Sequence, residues 1–164
     1  MKTIKIEKLT AEAFAPYGTF ADVVNPSTPS LGSDVHTFYR DASRYFCDFS
    51  LPIGFSPITV VEHGLEVDAA EYHNRSCEAI MPVTGDAIVH VSPANGGVYD
   101  VNQTKAFLVP KGTIITLYPG VWHLMPLPVD AKEVNCLIVL PERAYVNDFS
   151  IVDLDEDNKF VMEF

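Results

Sequence analysis

The sequence predicts an all-β fold, a closed barrel or a double-sheet jelly roll, and three observations carry the prediction. β-branched and aromatic residues come in short runs, the composition that a pleated, half-buried strand selects. Clusters of Pro, Gly, Asn and Asp interrupt those runs at regular spacing. Apolar residues at the helical period of about 3.6 are nearly absent, so short strands joined by turns account for most of the chain.

Taken in order, Ile4 and Ile6 alternate as a first strand, and Thr10 can cap a minor helix over Ala11 to Phe14 that Pro16-Tyr17-Gly18 ends. Asn25 to Ser30 reads as a surface loop. Ile58 to Val61 is β-branched. Ala79 to Val83 and Ala87 to Val91 flank Thr84-Gly85-Asp86, a hairpin signal. Ala106 to Val109 and Thr113 to Tyr118 flank a second turn, Pro110-Lys111-Gly112. Val134 to Leu140 is a near-continuous apolar run and reads as a core strand. Asp153, Asp155, Glu156 and Asp157 form a solvated acidic turn, after which Phe160, Met162 and Phe164 alternate as a closing strand.

The 164 residues are sized for one domain, 1–164. With 22 acidic against 11 basic residues and a net charge of −11, the chain lacks the clustered Lys and Arg that nucleic acid or an anionic membrane surface requires. A small anionic substrate would need a local cation to offset that field. No apolar run approaches the roughly 20 residues that span a bilayer, and the start has no apolar leader core, so a cytoplasmic location is expected. Cys47, Cys77 and Cys136 are odd in number and widely spaced, which favours reduced, buried thiols over disulfides or a zinc site. Small barrels with exposed strands commonly pair, and a homodimer is the expected state.

Two clusters could carry chemistry. In Glu71-Tyr72-His73 the outer two residues share one strand face. Glu78 lies five residues beyond His73 and would face the other way on a straight strand; a bulge or bend at Asn74-Arg75-Ser76 would restore it. Pro119-Gly120-Val121-Trp122-His123 is a turn that delivers a histidine. His36, His63 and His90 have no such setting and read as structural. Cys77 points away from its neighbour Glu78 and reads as an inert thiol.

Glu71-x-His73-x4-Glu78-x6-Gly85 resembles the first cupin motif, with Glu71 in place of its leading His, and Pro119-Gly120-x2-His123 resembles the second with one residue fewer and no closing Asn. More closely, Leu9-Thr10-Ala11-Glu12-Ala13-Phe14-Ala15-Pro16-Tyr17-Gly18 resembles the opening of the ureidoglycolate lyase family. Glu71, His73 and Ala79 match its E-R-H-P-x-x-S-Q-A-F stretch, and Gly120-Val121-Trp122-His123 matches its G-V-W-H in full. Tyr72, Asn74, Cys77 and Glu78 depart from the family pattern. Glu78, where the family has Gln, restores the usual cupin ligand.

The resemblance implies a cupin barrel and a lyase that breaks a C–N bond of ureidoglycolate to give glyoxylate and urea, in purine and allantoin nitrogen catabolism. It implies one divalent transition metal, Mn, Fe, Ni or Zn, on His73, Glu78 and His123, with Glu71 as either the fourth ligand or the general base. Arg75 or Lys111 would hold the substrate carboxylate. Trp122 reads first as wall or core and second as a side chain that packs against the substrate. Two other functions fit the same residues: a metal-dependent cupin isomerase, epimerase or dioxygenase acting on another small hydroxy acid, and a non-catalytic cupin that binds a small ligand.

Overall fold

Two curled sheets face one another across an apolar core. The structure is a computed structural model that describes residues 1–47 and 50–164. Its elements are β1 (Lys2–Lys8), α1 (Ala11–Phe14), β2 (Gly18–Asp22), β3 (Ser30–Ser33), β4 (His36–Tyr39), β5 (Ile53–Val61), β6 (Glu66–Val67), β7 (Ala69–Tyr72), β8 (Glu78–Pro82), β9 (Ala87–Val91), β10 (Lys105–Val109), β11 (Thr113–Leu117), β12 (Leu127–Pro128), β13 (Glu133–Pro141), α2 (Ala144–Asn147), β14 (Ser150–Asp153) and β15 (Phe160–Glu163). The six-stranded sheet runs β12-β9-β10-β1-β15-β6 and the five-stranded sheet runs β2-β11-β8-β13-β5. The pairs β7–β14 and β3–β4 complete the described strands. This is the jelly-roll class that the run pattern predicts.

The first strand behaves as Ile4 and Ile6 require: both are buried, while Lys5 and Glu7 are not. β1 lies parallel to β15 through Lys2–Lys5 and parallel to β10 through Ile6–Lys8, joining the two ends of the chain in one sheet. Thr10 caps α1, its hydroxyl accepting from Ala13 N–H at 3.3 Å. That cap fixes Phe14 against Phe107, ring centroids 5.4 Å apart, between the two sheets. β13, the apolar run, sits between β8 and β5. Val134, Cys136, Ile138 and Leu140 are buried there.

The hairpin expected around Thr84-Gly85-Asp86 does not form. β8 pairs with β11 and β13, whereas β9 pairs with β10 and β12. The chain therefore turns a corner from one sheet to the other, and the Pro110-Lys111-Gly112 turn does the same between β10 and β11. The two corners brace each other: Lys111 N–H donates to Asp86 Oδ1 at 2.8 Å and Gly112 N–H to Pro82 O at 2.9 Å. Turn residues set the chain's change of direction, but burial of both faces decides which strands pair.

At the other end of the chain, Phe160 and Met162 are buried as predicted, but Phe164 lies beyond β15 and is 65% exposed. None of the three cysteines is in a disulfide; Cys77 and Cys136 are buried and Cys47 is half-buried.

Candidate functional site

Glu71 and His123 lie directly opposite one another in an isolated antiparallel bridge. Glu71 N–H donates to His123 O at 2.7 Å and His123 N–H to Glu71 O at 2.9 Å. Directly opposed residues share a face, and His73, two residues beyond Glu71, shares it too. The Pro119-Gly120 turn is seated just past the end of β7, Gly120 N–H donating to His73 O at 2.6 Å. Gly120 has φ +82°, and a Cβ there would stand 2.9 Å from Ala94 Cβ, so a side chain fits neither the backbone nor the space.

After His73 the chain bends at Asn74 and Arg75, and Glu78 opens β8 on the inner side. Its carboxylate oxygen Oε2 stands 2.9 Å from His123 Nε2 and 3.1 Å from His73 Nε2, and His123 Nε2 is 3.9 Å from Glu71 Oε1. One ligand atom from each of Glu71, His73, Glu78 and His123 can be chosen so that all four lie within 4.8 Å of one another. The bend thus does what the five-residue spacing demanded.

The ring orientations are set from behind. His73 Nδ1 donates to the main-chain oxygen of Asp148, and His123 Nδ1 donates to Val121 O at 3.0 Å. Each bond places a proton on Nδ1 and turns Nε2 inward, the arrangement in which histidine binds a metal. His73 Nε2 is buried and, although 3.1 Å from Glu78 Oε2, is not aligned for a hydrogen bond with any described residue. Two imidazoles and two carboxylates with such an unmatched nitrogen fit a divalent transition ion.

The two carboxylates differ sharply. Burial resists ionisation of Glu78, but the charge and hydrogen bond of His123, joined by His73, outweigh it and hold the carboxyl down at about 2. Burial also resists protonation of His123, but Glu78 raises it to about 9. Glu71 moves the other way. Burial pushes its carboxyl up and the charge of Glu78 adds to that, against the opposing pull of His123 and His73.

Of the other residues singled out, Arg75 lies in the bend with an exposed side chain. Lys111 is not brought to the site. It sits at the corner beside Pro82, the opposite end of β8 from Glu78, roughly 13 Å along the strand. Trp122 is buried, edge-on to Tyr72 and Tyr99 with centroids 4.4 and 5.6 Å away, and neighbours His123 on the opposite strand face, so it is core. His36 and His63 are exposed and bonded locally. His90 is buried, and burial brings it down to about 3.

Three residues without a motif also belong here. Tyr145 and Phe149 stand 6.3 and 6.1 Å from the His73 ring and 5.9 Å from each other. Burial raises the Tyr145 hydroxyl to about 12, with the charges of Glu78 and Glu71 adding to it. Asp148 supplies the main-chain oxygen that holds His73.

Residues 22–162 match the family model described as Domain of unknown function (DUF4867). The chain is also 30% identical over 131 residues to the putative ureidoglycolate lyase of Agrobacterium fabrum, covering 77% of each chain. It belongs to both families. The Rhodobacter capsulatus ureidoglycolate lyase is 29% identical over 134 residues, covering 80% of this chain and 82% of the relative. The Burkholderia mallei ureidoglycolate lyase is 28% identical over 170 residues, covering 99% and 89%. Among solved structures, the dTDP-6-deoxy-D-glucose-3,5-epimerase RmlC of Legionella pneumophila overlaps at a TM-score of 0.44 and 9% identity, covering 80% of this chain and 75% of that one.

Proposed function

We propose that this protein is a lyase that cleaves ureidoglycolate to glyoxylate and urea. The observation that carries the proposal is two carboxylates, Glu78 enclosed and Glu71 the more exposed, meeting two oriented imidazoles in one buried cluster, surroundings that assign separate roles to two acids. Family membership supplies the substrate.

The reaction removes a proton from the carbinol hydroxyl, breaks the adjacent C–N bond as the carbonyl forms, and protonates the departing urea nitrogen. The Glu71 side chain is 17% exposed against 7% for Glu78, so substrate meets Glu71. A Glu71 oxygen takes the hydroxyl proton and returns it to the urea nitrogen, with no net proton change. Glu78, held between the imidazoles, stays ionised and fixes both rings. Tyr145 and Phe149 wall the site beside His73. Arg75, on the rim of the bend, is the candidate for the substrate carboxylate. A Mn, Fe, Ni or Zn ion on His73, Glu78 and His123, with Glu71 as fourth ligand or free as base, would supply Lewis-acid polarisation of the substrate oxygens.

The test is glyoxylate and urea release from purified protein, before and after chelation. Equimolar products are expected; no turnover under either condition removes the proposal. The four-donor cluster also favours a second reading, a metal-dependent isomerase, epimerase or dioxygenase on another small hydroxy acid, which turnover of such acids but not of ureidoglycolate would establish. We further place the enzyme in allantoin nitrogen breakdown in the cytoplasm, as a homodimer. No helix among the described residues is long and apolar enough to cross a membrane. Equilibrium sedimentation showing only monomer would remove the dimer.

A further inference from the structure

We propose that Asp148 is a positioning residue: it clamps the 74–76 bend and thereby holds His73 and Glu78 in one working set. The inference rests on reading the four side chains as one site.

Without a bend, the odd spacing from His73 to Glu78 sends the two side chains to opposite faces. A bend leaves successive backbone N–H groups without strand partners, and such groups form a concavity that binds an anionic oxygen. Asp148 fills it. Its Oδ1 accepts from Asn74 N–H at 2.8 Å and from Arg75 N–H at 3.1 Å. Its Oδ2 accepts from Arg75 N–H at 3.0 Å and from the Ser76 hydroxyl at 3.2 Å. The residue is 7% exposed, so these bonds replace nearly all of its water.

The main chain of the same residue does two further things. Its carbonyl accepts from His73 Nδ1, which points Nε2 inward. Its N–H donates to Ala144 O at 2.8 Å and closes α2, which carries Tyr145, and Phe149 follows Asp148 directly in the chain. One residue therefore ties the bend through its side chain, and a histidine tautomer and α2 through its main chain, across 75 residues of sequence. The far side of the bend is held separately, by Cys77 N–H on Phe46 O at 2.8 Å. Loss of Asp148 would then loosen the bend and leave β8 paired.

The experiment compares wild type, D148A and D148N, each first shown to be folded by circular dichroism. Zinc affinity is read by competition with a chromophoric chelator, and the His73 tautomer by long-range 1H–15N correlation of the imidazoles in metal-free protein. D148A is expected to lose about tenfold to a hundredfold in zinc affinity and to show His73 no longer held as the Nδ1–H form. D148N, which keeps one acceptor oxygen, is expected to fall between. Where ureidoglycolate is turned over, kcat drops by a similar factor with KM changed less. Folded D148A with wild-type zinc affinity and tautomer overturns the inference. If D148A does not fold, D148N with both readouts unchanged overturns it equally. Wild type that binds zinc but leaves ureidoglycolate intact removes the proposed reaction and leaves this test standing.

Discussion

Glu71 and Glu78 are the same residue type a few ångströms from the same imidazole, yet their surroundings separate them. Glu78 is enclosed and charge-paired; Glu71 is the more exposed and is pushed toward its protonated form. Glu71→Gln removes the proposed base and keeps the shape, so kcat for glyoxylate release should fall by about 10²- to 10⁴-fold with the fold intact. Tyr145, 57% exposed, can lose its hydroxyl without a cavity. Tyr145→Phe should leave thermal stability unchanged and raise KM if the hydroxyl contacts substrate, as steady-state kinetics will show. His90 makes a prediction about pH. Burial lowers it from 6.5 to about 3, so the unfolded chain takes up its proton first. Its share of stability is present above pH 6.5 and is lost as pH falls from 6.5 toward 3, on the order of a few kcal/mol. Urea titrations at a series of pH values should show this slope, and His90→Gln should flatten it.

At the scale of elements, the site is made where three connections meet: the 74–76 bend, the Pro119-Gly120 turn and the segment after α2. The Pro119-Gly120 turn was legible because its residues are local and their conformational demands are their own. Gly120→Ala should cost at least about 1–2 kcal/mol from the positive φ alone, with more from Ala94, and should weaken activity by shifting His73; denaturant midpoints and kinetics measure the two effects. The Thr84-Gly85-Asp86 and Pro110-Lys111-Gly112 turns were equally legible as turns, but not as corners. A turn's sequence encodes a reversal of the chain, and the same reversal can end in a hairpin or in the opposite sheet. Asp148 left no local trace, because an acid becomes a clamp only when distant amides face it.

For the whole molecule, the core and the site can be perturbed separately. Ile80, fully buried and paired with Ile115 and Ile138, should cost about 2–5 kcal/mol when truncated to Ala. A metal that binds only the folded state should add about 2.7 kcal/mol at one hundred times its Kd, so zinc titration with thermal melts reports the cluster without any substrate. Lys111→Ala should leave kcat/KM unchanged, since Lys111 stands at the opposite end of β8 from Glu78.

The sequence by itself determined the all-β class, the cap on α1, the core strand β13 and the pair His73 and His123. Each depends on period, turn chemistry or motif within a few residues. Only the tertiary structure decided that β8 and β9 part company, that Lys111 stands at the far end of β8 from Glu78, and that Asp148 and Tyr145 come up against His73. The physical reason is common to all of these. Pairing, burial and hydrogen bonding between residues far apart in sequence depend on which surfaces the fold brings together, and no short pattern along the chain carries that information.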